Sequence, residues 1–374
     1  MSPEYSAELE RICSETIGPE APDVDHNGAF PQRGLNALAA AGLMGAVSAP
    51  EVGGLGLGPR GAAAIVGRIA QDCGSTAMVL CMHFCGTAVL EAHGDRDVRR
   101  AAASGAHLST LAFSEAGSRS HFWAPLSTAK KNGKGISLHA RKSFVTSASK
   151  ATGYVWSSQP LEANGGLSTL WLVPAATPGI RVQGPFDGLG LRGNDSSPVS
   201  ANDARVPESA MLGKDGKGFD IMMGTVLPLF NVLNAACSVG IMEAAVQRTA
   251  QHATGVRFAD VESTLAALPT IRNYIAGMRV KADMARTLVD DTISALETGR
   301  ADAMLRVLSC KAGAGDAAIE VAQTAMRVCG GAAYRKDLAV ERFFRDAHAA
   351  SVMGPTTDVL YDFIGKAVCG IKLF

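Results

Sequence analysis

The run Gly188-Leu189-Gly190-Leu191-Arg192-Gly193 carries, letter for letter, the glycine spacing of a dinucleotide-binding fingerprint, and its reading decides the fold. That spacing holds a pyrophosphate only where it follows a strand and opens a helix, whose N-terminal amides meet the phosphates. Here Asn194-Asp195-Ser196-Ser197-Pro198 comes next, and then the β-branched run from Val199 to Val206. The glycines read as a β-turn between strands, and a nicotinamide cofactor falls with the fingerprint.

Working outward, residues 108 to about 208 alternate short β-branched and aromatic segments with glycine-containing turns. The segments are Leu108 to Phe113, Ile136 to Val145, Tyr154 to Ser158, Ser168 to Val173, Ile180 to Val182 and Val199 to Val206. Strands clustered in this way, with no helices between them, predict a small antiparallel sheet or barrel and argue against a doubly wound parallel sheet. Residues 1–107 show helical spacing instead, as in Leu35, Leu38, Ala39 and Leu43, broken by the turn-rich run Pro50 to Gly58. From 209 the pattern is helical again. Segments are predicted over Pro228 to Ala253, from Pro269 to a stop at Gly299, and over Ala301 to Cys329 with a stop at Gly330-Gly331. A last helix starts near Thr356, whose hydroxyl is a candidate N-cap. The expected class is α+β and mainly helical: an N-terminal helical domain (1–107), a middle antiparallel β-domain (108–208) and a C-terminal four-helix bundle (209–374).

The 35 basic and 35 acidic residues cancel, which gives no electrostatic reason to expect nucleic acid or an anionic membrane. No stretch reads as a membrane span, and Met1 to Glu10 carries three glutamates rather than a basic leader, so a cytoplasmic location is expected. The eight cysteines sit mostly in alanine-rich helical contexts and read as reduced apolar side chains. In Cys81-Met82-His83-Phe84-Cys85 the two thiols share a helix face from which His83 points away, so a core helix is expected and no metal. No Gly-x-Ser-x-Gly elbow supports a hydrolase triad. Arg345-Asp346-Ala347-His348, taken alone, reads as a solvated helix face.

The helix–sheet–helix order, with five segments in sequence, resembles the acyl-CoA dehydrogenase family over essentially the whole chain. Pro50 to Gly56 resembles that family's Pro-x-x-x-Gly-Gly-x-Gly turn. Ala112-Phe113-Ser114-Glu115-Ala116-Gly117-Ser118 is similar to a shortened form of its Thr-Glu-Pro-x-Ala-Gly-Ser-Asp flavin loop, and Lys142 to Ser147 to its Lys-x-Trp-Ile-Thr-Asn strand. Val328 to Gly331 with Tyr334 resembles its Phe-Gly-Gly-x-Gly-Tyr segment, and Arg345-Asp346 its Arg-Asp pair. The resemblance implies FAD. Ser114 would hydrogen-bond the flavin's pyrimidine edge and Ser118 the pyrophosphate, with Phe113 also at the cofactor. Phe144 would cover the isoalloxazine, and Thr146 would present an exposed hydroxyl near N5. Gly330 and Gly331 would let a second subunit's backbone approach the ADP portion. Thr356 would add a donor, and Arg257, beside Phe258, is a loose match to a pyrophosphate contact. A homodimer or homotetramer is implied, as is an electron-transfer partner or O2.

The departures bear on the chemistry. In the family a glutamate eight residues past the Arg-Asp aspartate removes the substrate α-proton. That position is Gly354 here. In other members the glutamate stands on the long helix after the sheet, where this chain has Phe230, with Asn231 in place of the usual arginine. A general base contributes on the order of 10²–10⁴ in rate, about 3 to 5 kcal/mol. The flavin loop is about two residues short and runs into His121-Phe122-Trp123, which makes His121 the first candidate proton-transfer group and Asp195 the second. The resulting expectation is an FAD-dependent oxidoreductase acting on an acyl thioester, on CoA or a carrier protein, with a relocated or missing base. The alternatives are a flavin-dependent monooxygenase on the same fold, or a non-catalytic flavin-binding paralogue.

Overall fold

The computed structural model describes residues 2–118, 121–133, 135–162, 166–258 and 263–373. They form two compact units, one of Met1–Ile65, Met78–Asp187 and Arg192–Phe230, the other of Val66–Ala77, Gly188–Leu191 and Asn231–Phe374.

Helices α1 (Pro3–Ile12), α2 (Gly18–His26), α3 (Gln32–Ala40), α4 (Gly58–Ala70), α5 (Gly74–His93) and α6 (Arg96–Ser104) precede the strands. Their ends follow local chemistry. The Ser2 hydroxyl accepts from Tyr5 N at the start of α1. The Asp95 carboxylate accepts from the amides of Asp97 and Val98 at the start of α6, and Gly105, at φ 78°, ends that helix.

The first unit holds two four-stranded sheets. One runs in the order β1 (Ser109–Ala112), β4 (Gly153–Ser158), β5 (Thr169–Pro174), β8 (Met211–Leu212). The other runs β2 (Thr128–Asn132), β3 (Gly135–Val145), β7 (Ser197–Pro207), β6 (Ile180–Val182). Tyr154, Trp156 and Trp171 from the first and Ile136, Leu138, Val199 and Ala204 from the second share one core. The sheets are not wholly antiparallel as expected, because β1 pairs with β4 in parallel, Ser109 opposite Gly153 and Ala112 opposite Trp156. Both strands are buried along their whole length, the environment in which parallel pairs occur. The sequence reading also passed over β2, whose Thr-Ala-Lys-Lys-Asn composition is that of a solvated edge strand.

The 188–193 run is a turn, followed by a 3₁₀ turn at Arg192–Asn194 and then by β7. Its glycines serve close packing. A Cβ on Gly193 would fall 2.3 Å from Val24 Cγ1, and one on Gly190 would fall 2.5 Å from the Arg345 carbonyl oxygen.

The remaining helices are α7 (Gly218–Ile221), α8 (Leu227–Gly255), α9 (Pro269–Glu297), α10 (Ala303–Cys329), α11 (Val340–Ala347), α12 (Ala349–Val352) and α13 (Thr357–Val368), with a two-stranded ribbon of β9 (Arg257–Phe258) and β10 (Ser263–Thr264) after α8. In the second unit α10 packs on α9, α11 and α13, and α8 meets the end of α4 so tightly that a Cβ on Gly240 would lie 2.2 Å from the Gly67 oxygen. Two helical stretches, Gly74–His93 and Gly218–Gly255, are long and apolar enough by composition to cross a membrane, contrary to the expectation of none. They are 78% and 94% buried within the protein, as core helices are.

Candidate functional site

Strand β3 ends in a break of register between Lys142 and Val145. Inside that bulge Phe144 takes a positive φ of 54°, a costly conformation for a bulky side chain, and its ring is 75% exposed. Bulges re-aim side chains. This one turns Phe144 out while its neighbour Lys142 turns fully inward.

The Lys142 ammonium is the centre of the first unit's polar core. It lies 2.5 Å from the Glu115 carboxylate and donates to the Ser157 carbonyl at 2.7 Å and to the Ser157 and Ser127 hydroxyls at 2.9 and 3.0 Å. Glu115 also accepts from the amides of Leu126 and Ser127, at 2.6 and 3.0 Å, and from the Ser127 hydroxyl. One carboxylate thus fastens both ends of the segment from 115 to 127. The Ser143 amide donates to the Ser114 carbonyl at 2.9 Å, which lays Phe113 to Glu115 along β3 beside the Phe144 bulge. The Ser118 hydroxyl turns back to the Glu115 carbonyl at 2.9 Å. Burial pulls the Lys142 amine down from 10.5 to about 8, and Glu115 opposes that pull. Because the folded value lies below the unfolded one, this desolvation cost is fully present below pH 8 and is relieved as pH climbs towards 10.5.

Both proton-transfer candidates of this unit are half-exposed and have local partners. Asp195, itself at φ 53°, accepts from the amide and hydroxyl of Ser149 at 2.7 and 2.8 Å, so its carboxylate builds the turn after β3. His121 stacks on Trp123 with ring centroids 4.8 Å apart, and Phe122 stacks on Phe113 at 6.3 Å. Thr146 does not present the exposed hydroxyl expected of it. It is buried one step past the bulge, its hydroxyl sharing a hydrogen bond with the Ser196 hydroxyl at 3.0 Å and its carbonyl accepting from Thr110 at 2.7 Å. His83 is a buried core histidine between the Met44 carbonyl and the Ser109 amide, and burial holds it down at about 4.

The second unit gathers the other candidates. Arg345-Asp346 is not a solvated face. Asp346 is buried and accepts from the Leu191 amide at 2.6 Å, and Arg345 donates to the Leu189 carbonyl at 3.1 Å. The pair therefore holds the glycine turn of 188–191. Next comes the Gly354 loop. The buried Lys311 ammonium of α10 donates to three of its carbonyls, Ala350 at 2.9 Å, Met353 at 3.1 Å and Pro355 at 2.8 Å, one for each ammonium proton. Gly354 lies between two clamped carbonyls. Asn234 of α8 reaches the same loop, its amide nitrogen 3.5 Å from Met353 Sδ, and Asn231, one turn earlier, donates to the Val307 carbonyl at 3.1 Å. Phe230 is buried. Thr356 stands at the N-cap of α13 with extended backbone, but its hydroxyl makes no capping bond. Gly330, at φ 55°, Gly331 and the 82% exposed Tyr334 lie at the surface, and a Cβ on either glycine would meet nothing within 4 Å. Arg257 is exposed and pairs through its backbone with Thr264.

Three family models cover the chain: "Acyl-CoA dehydrogenase, N-terminal domain" matches residues 4–105, the middle domain 110–204 and the C-terminal domain 216–369. An acyl-CoA dehydrogenase of Bacillus subtilis is 30% identical over 375 residues, covering 96% of this chain and 95% of that protein. The chain belongs to the acyl-CoA dehydrogenase family. A cyclohex-1-ene-1-carbonyl-CoA dehydrogenase of Syntrophus aciditrophicus is 28% identical, covering 96% of this chain and 88% of that one. In fold the chain is similar to the butyryl-CoA dehydrogenase of Megasphaera elsdenii, with a TM-score of 0.91, 22% identity and 99% of each chain covered. Family membership brings the three-domain helical–β–helical fold and the class of FAD-dependent oxidoreductases. The residues at the bulge fit that cofactor: an outward aromatic ring held at positive φ, with the half-buried hydroxyl of Ser114 on the adjacent segment.

The sequence reading missed Lys142–Glu115 as a pair, Lys311, and the two asparagines as a set. Each carried a signal. Lys311 is the one charge between Val307 and Gly315, and Asn231 and Asn234 stand three apart in an otherwise apolar run.

Two outcomes follow. Lys142→Met strands a buried carboxylate and should cost about 3–5 kcal/mol in urea unfolding, while Lys142→Met with Glu115→Leu recovers most of it. A single variant as stable as the wild type would show that Glu115 has another counter-charge. Lys311→Met leaves three carbonyls without their donor and should cost about 3 kcal/mol, with the loss of amide-exchange protection concentrated at residues 349–357. Protection lost evenly over all of α10 instead would place the role of Lys311 in its own helix.

Proposed function

We propose that this chain oxidises an acyl thioester with FAD and that it does so without the carboxylate base usual in its family. What carries the flavin half is the exposed, left-handed Phe144 beside the anchored 113–118 segment. Bound FAD supplies the hydride acceptor. Phe144 would cover its ring system, Ser114 would hydrogen-bond the pyrimidine edge with Phe113 also at the cofactor, and Ser118 would approach the pyrophosphate. The Thr146 hydroxyl shares one hydrogen bond with Ser196 and, accepting there, would keep its own proton to donate. Gly330 and Gly331, open at the surface, would admit the ADP portion of a second subunit's cofactor, with Thr356 and Arg257 as further donors. A homodimer or homotetramer is therefore part of the reading.

The proton half rests on what stands at the base positions. Gly354 and Phe230 cannot accept a proton, and Asn231 is neutral. Asp195 is committed to Ser149, and His121 is stacked on Trp123. His121 and Asp195 stay the two candidates for a relocated base, since stacking leaves an imidazole's nitrogens able to take a proton and accepting hydrogen bonds does not remove a carboxylate's basicity. The missing carboxylates favour a second reading as well, in which reduced flavin meets O2 and hydroxylates a substrate. The direction of electron flow separates the two: an acyl thioester bleaches a dehydrogenase anaerobically, whereas a monooxygenase needs a reductant first and then consumes oxygen.

The native protein is expected to bleach slowly, if at all, with butyryl-CoA under anaerobic conditions. Gly354→Glu, checked first for FAD retention, should raise that rate by 10²-fold or more, the usual worth of a positioned general base. Fast native turnover of butyryl-CoA would overturn the missing-base reading. A Gly354→Glu protein that binds FAD and thioester yet gains nothing would move the reaction away from α,β-dehydrogenation.

A further inference from the structure

Among the described residues of the second unit, three buried side-chain oxygens have no hydrogen-bond partner, those of Asn231, Asn234 and Thr357, and the two amide oxygens can only accept. The Asn231 side chain is 0% exposed and that of Asn234 is 1% exposed, and the Oδ1 atom of each is unpartnered. Asn231 Nδ2 donates to the Val307 carbonyl, which fixes its amide so that the oxygen is the orphan. Asn234 Nδ2 faces Met353 Sδ in the same way. Three residues apart on α8, the two side chains share one helix face, and that face meets the loop that carries Gly354. A buried acceptor without a donor costs about 1–3 kcal/mol, so two on one face at this loop call for a ligand.

The chemistry around them selects the ligand. They are acceptors, so it must donate. The Lys311 ammonium is bound to the carbonyls of Met353, Ala350 and Pro355 on the same loop, and its positive charge disfavours a second cation beside Met353. The donor is therefore neutral. On the alignment that the family resemblance implies, Gly354 stands at a glutamate position and Asn231 at an arginine position, so the groups this chain presents there are uncharged.

We propose that Asn231 and Asn234 recognise a neutral hydrogen-bond donor, a hydroxyl or amide N–H, carried by the acyl group near the reacting carbons. The natural substrate is then a hydroxyacyl or amidoacyl thioester rather than a plain hydrocarbon one. This rests on the acyl-thioester reading above, which puts those carbons beside position 354. A site built to pair with a donor rejects the analogue that lacks it more sharply than an apolar pocket rejects a missing methylene.

The test uses the FAD-loaded protein and anaerobic titration, followed by the flavin spectrum. The probes are butyryl-CoA, its 2-, 3- and 4-hydroxy derivatives, 4-acetamidobutyryl-CoA and 4-aminobutyryl-CoA. At least one neutral donor-bearing thioester should bind tenfold or more tightly than butyryl-CoA, and the ammonium compound more weakly than its hydroxyl counterpart. Asn234→Leu and Asn231→Leu should each bring the ratio of hydroxy to plain thioester towards one. Equal binding of all the neutral thioesters, or a preference that survives both substitutions, would overturn the inference while leaving the acyl-thioester reading intact. Absence of any response to every probe, with FAD fully bound, would sink both. The wild-type ratios decide the matter even where a substituted protein does not fold.

Discussion

A buried ammonium is expensive, and Lys142 is tolerated because protein groups surround it: Glu115, Ser127, the hydroxyl and carbonyl of Ser157, the Phe113 carbonyl at 3.5 Å and the ring of Trp156. From the end of β3, Lys142 thus reaches three other places in the chain: the segment after β1, the start of β2 and the end of β4. Strands from both sheets are therefore fixed to one point. Glu115 takes up the remaining slack by binding the Leu126 and Ser127 amides, which sets the reach of the short 115–127 segment. Between Lys142, drawn in, and Val145 the register breaks, and Phe144 stands in that break at positive φ with its ring exposed. The exposed ring that the flavin reading needs is thus two residues from the buried charge.

The second unit uses the same device with a different partner. Lys311 meets carbonyl oxygens of the Gly354 loop, and three convergent acceptors fix a short stretch of backbone more firmly than one side-chain contact would. In a relative with a glutamate at this position, such a clamp would aim the carboxylate. Here it holds a loop whose central residue has no side chain.

Much of this could be read from the chain. The helical and strand segments were legible because their periodicities are clean, and the 188–193 glycines were recognisable as a turn because a strand, not a helix, follows them. The parallel β1–β4 pair was not legible, since it depends on which strands meet across the 113–152 connection and not on any local pattern. Thr146 and Thr356 were misjudged for a related reason. A hydroxyl next to a bulge or at a helix start finds whatever partner tertiary packing brings, and Ser196, fifty residues away, could not be foreseen. Asp346 looked solvated because its partner, the Leu191 amide, lies 155 residues back in sequence.

The two departures from the family pattern look independent in sequence, one on the long helix and one past α12, yet Asn234 and Met353 bring that helix and that loop into contact. On the reading proposed above, charged residues would stand at these positions in relatives, and removing one member of a buried charged pair alone would cost several kcal/mol. The set present here, Asn231, Asn234 and Gly354, carries no charge and binds only through hydrogen bonds. What such a site gives up in proton abstraction it can gain only through recognition, since uncharged amides bind and orient but do not take protons at neutral pH.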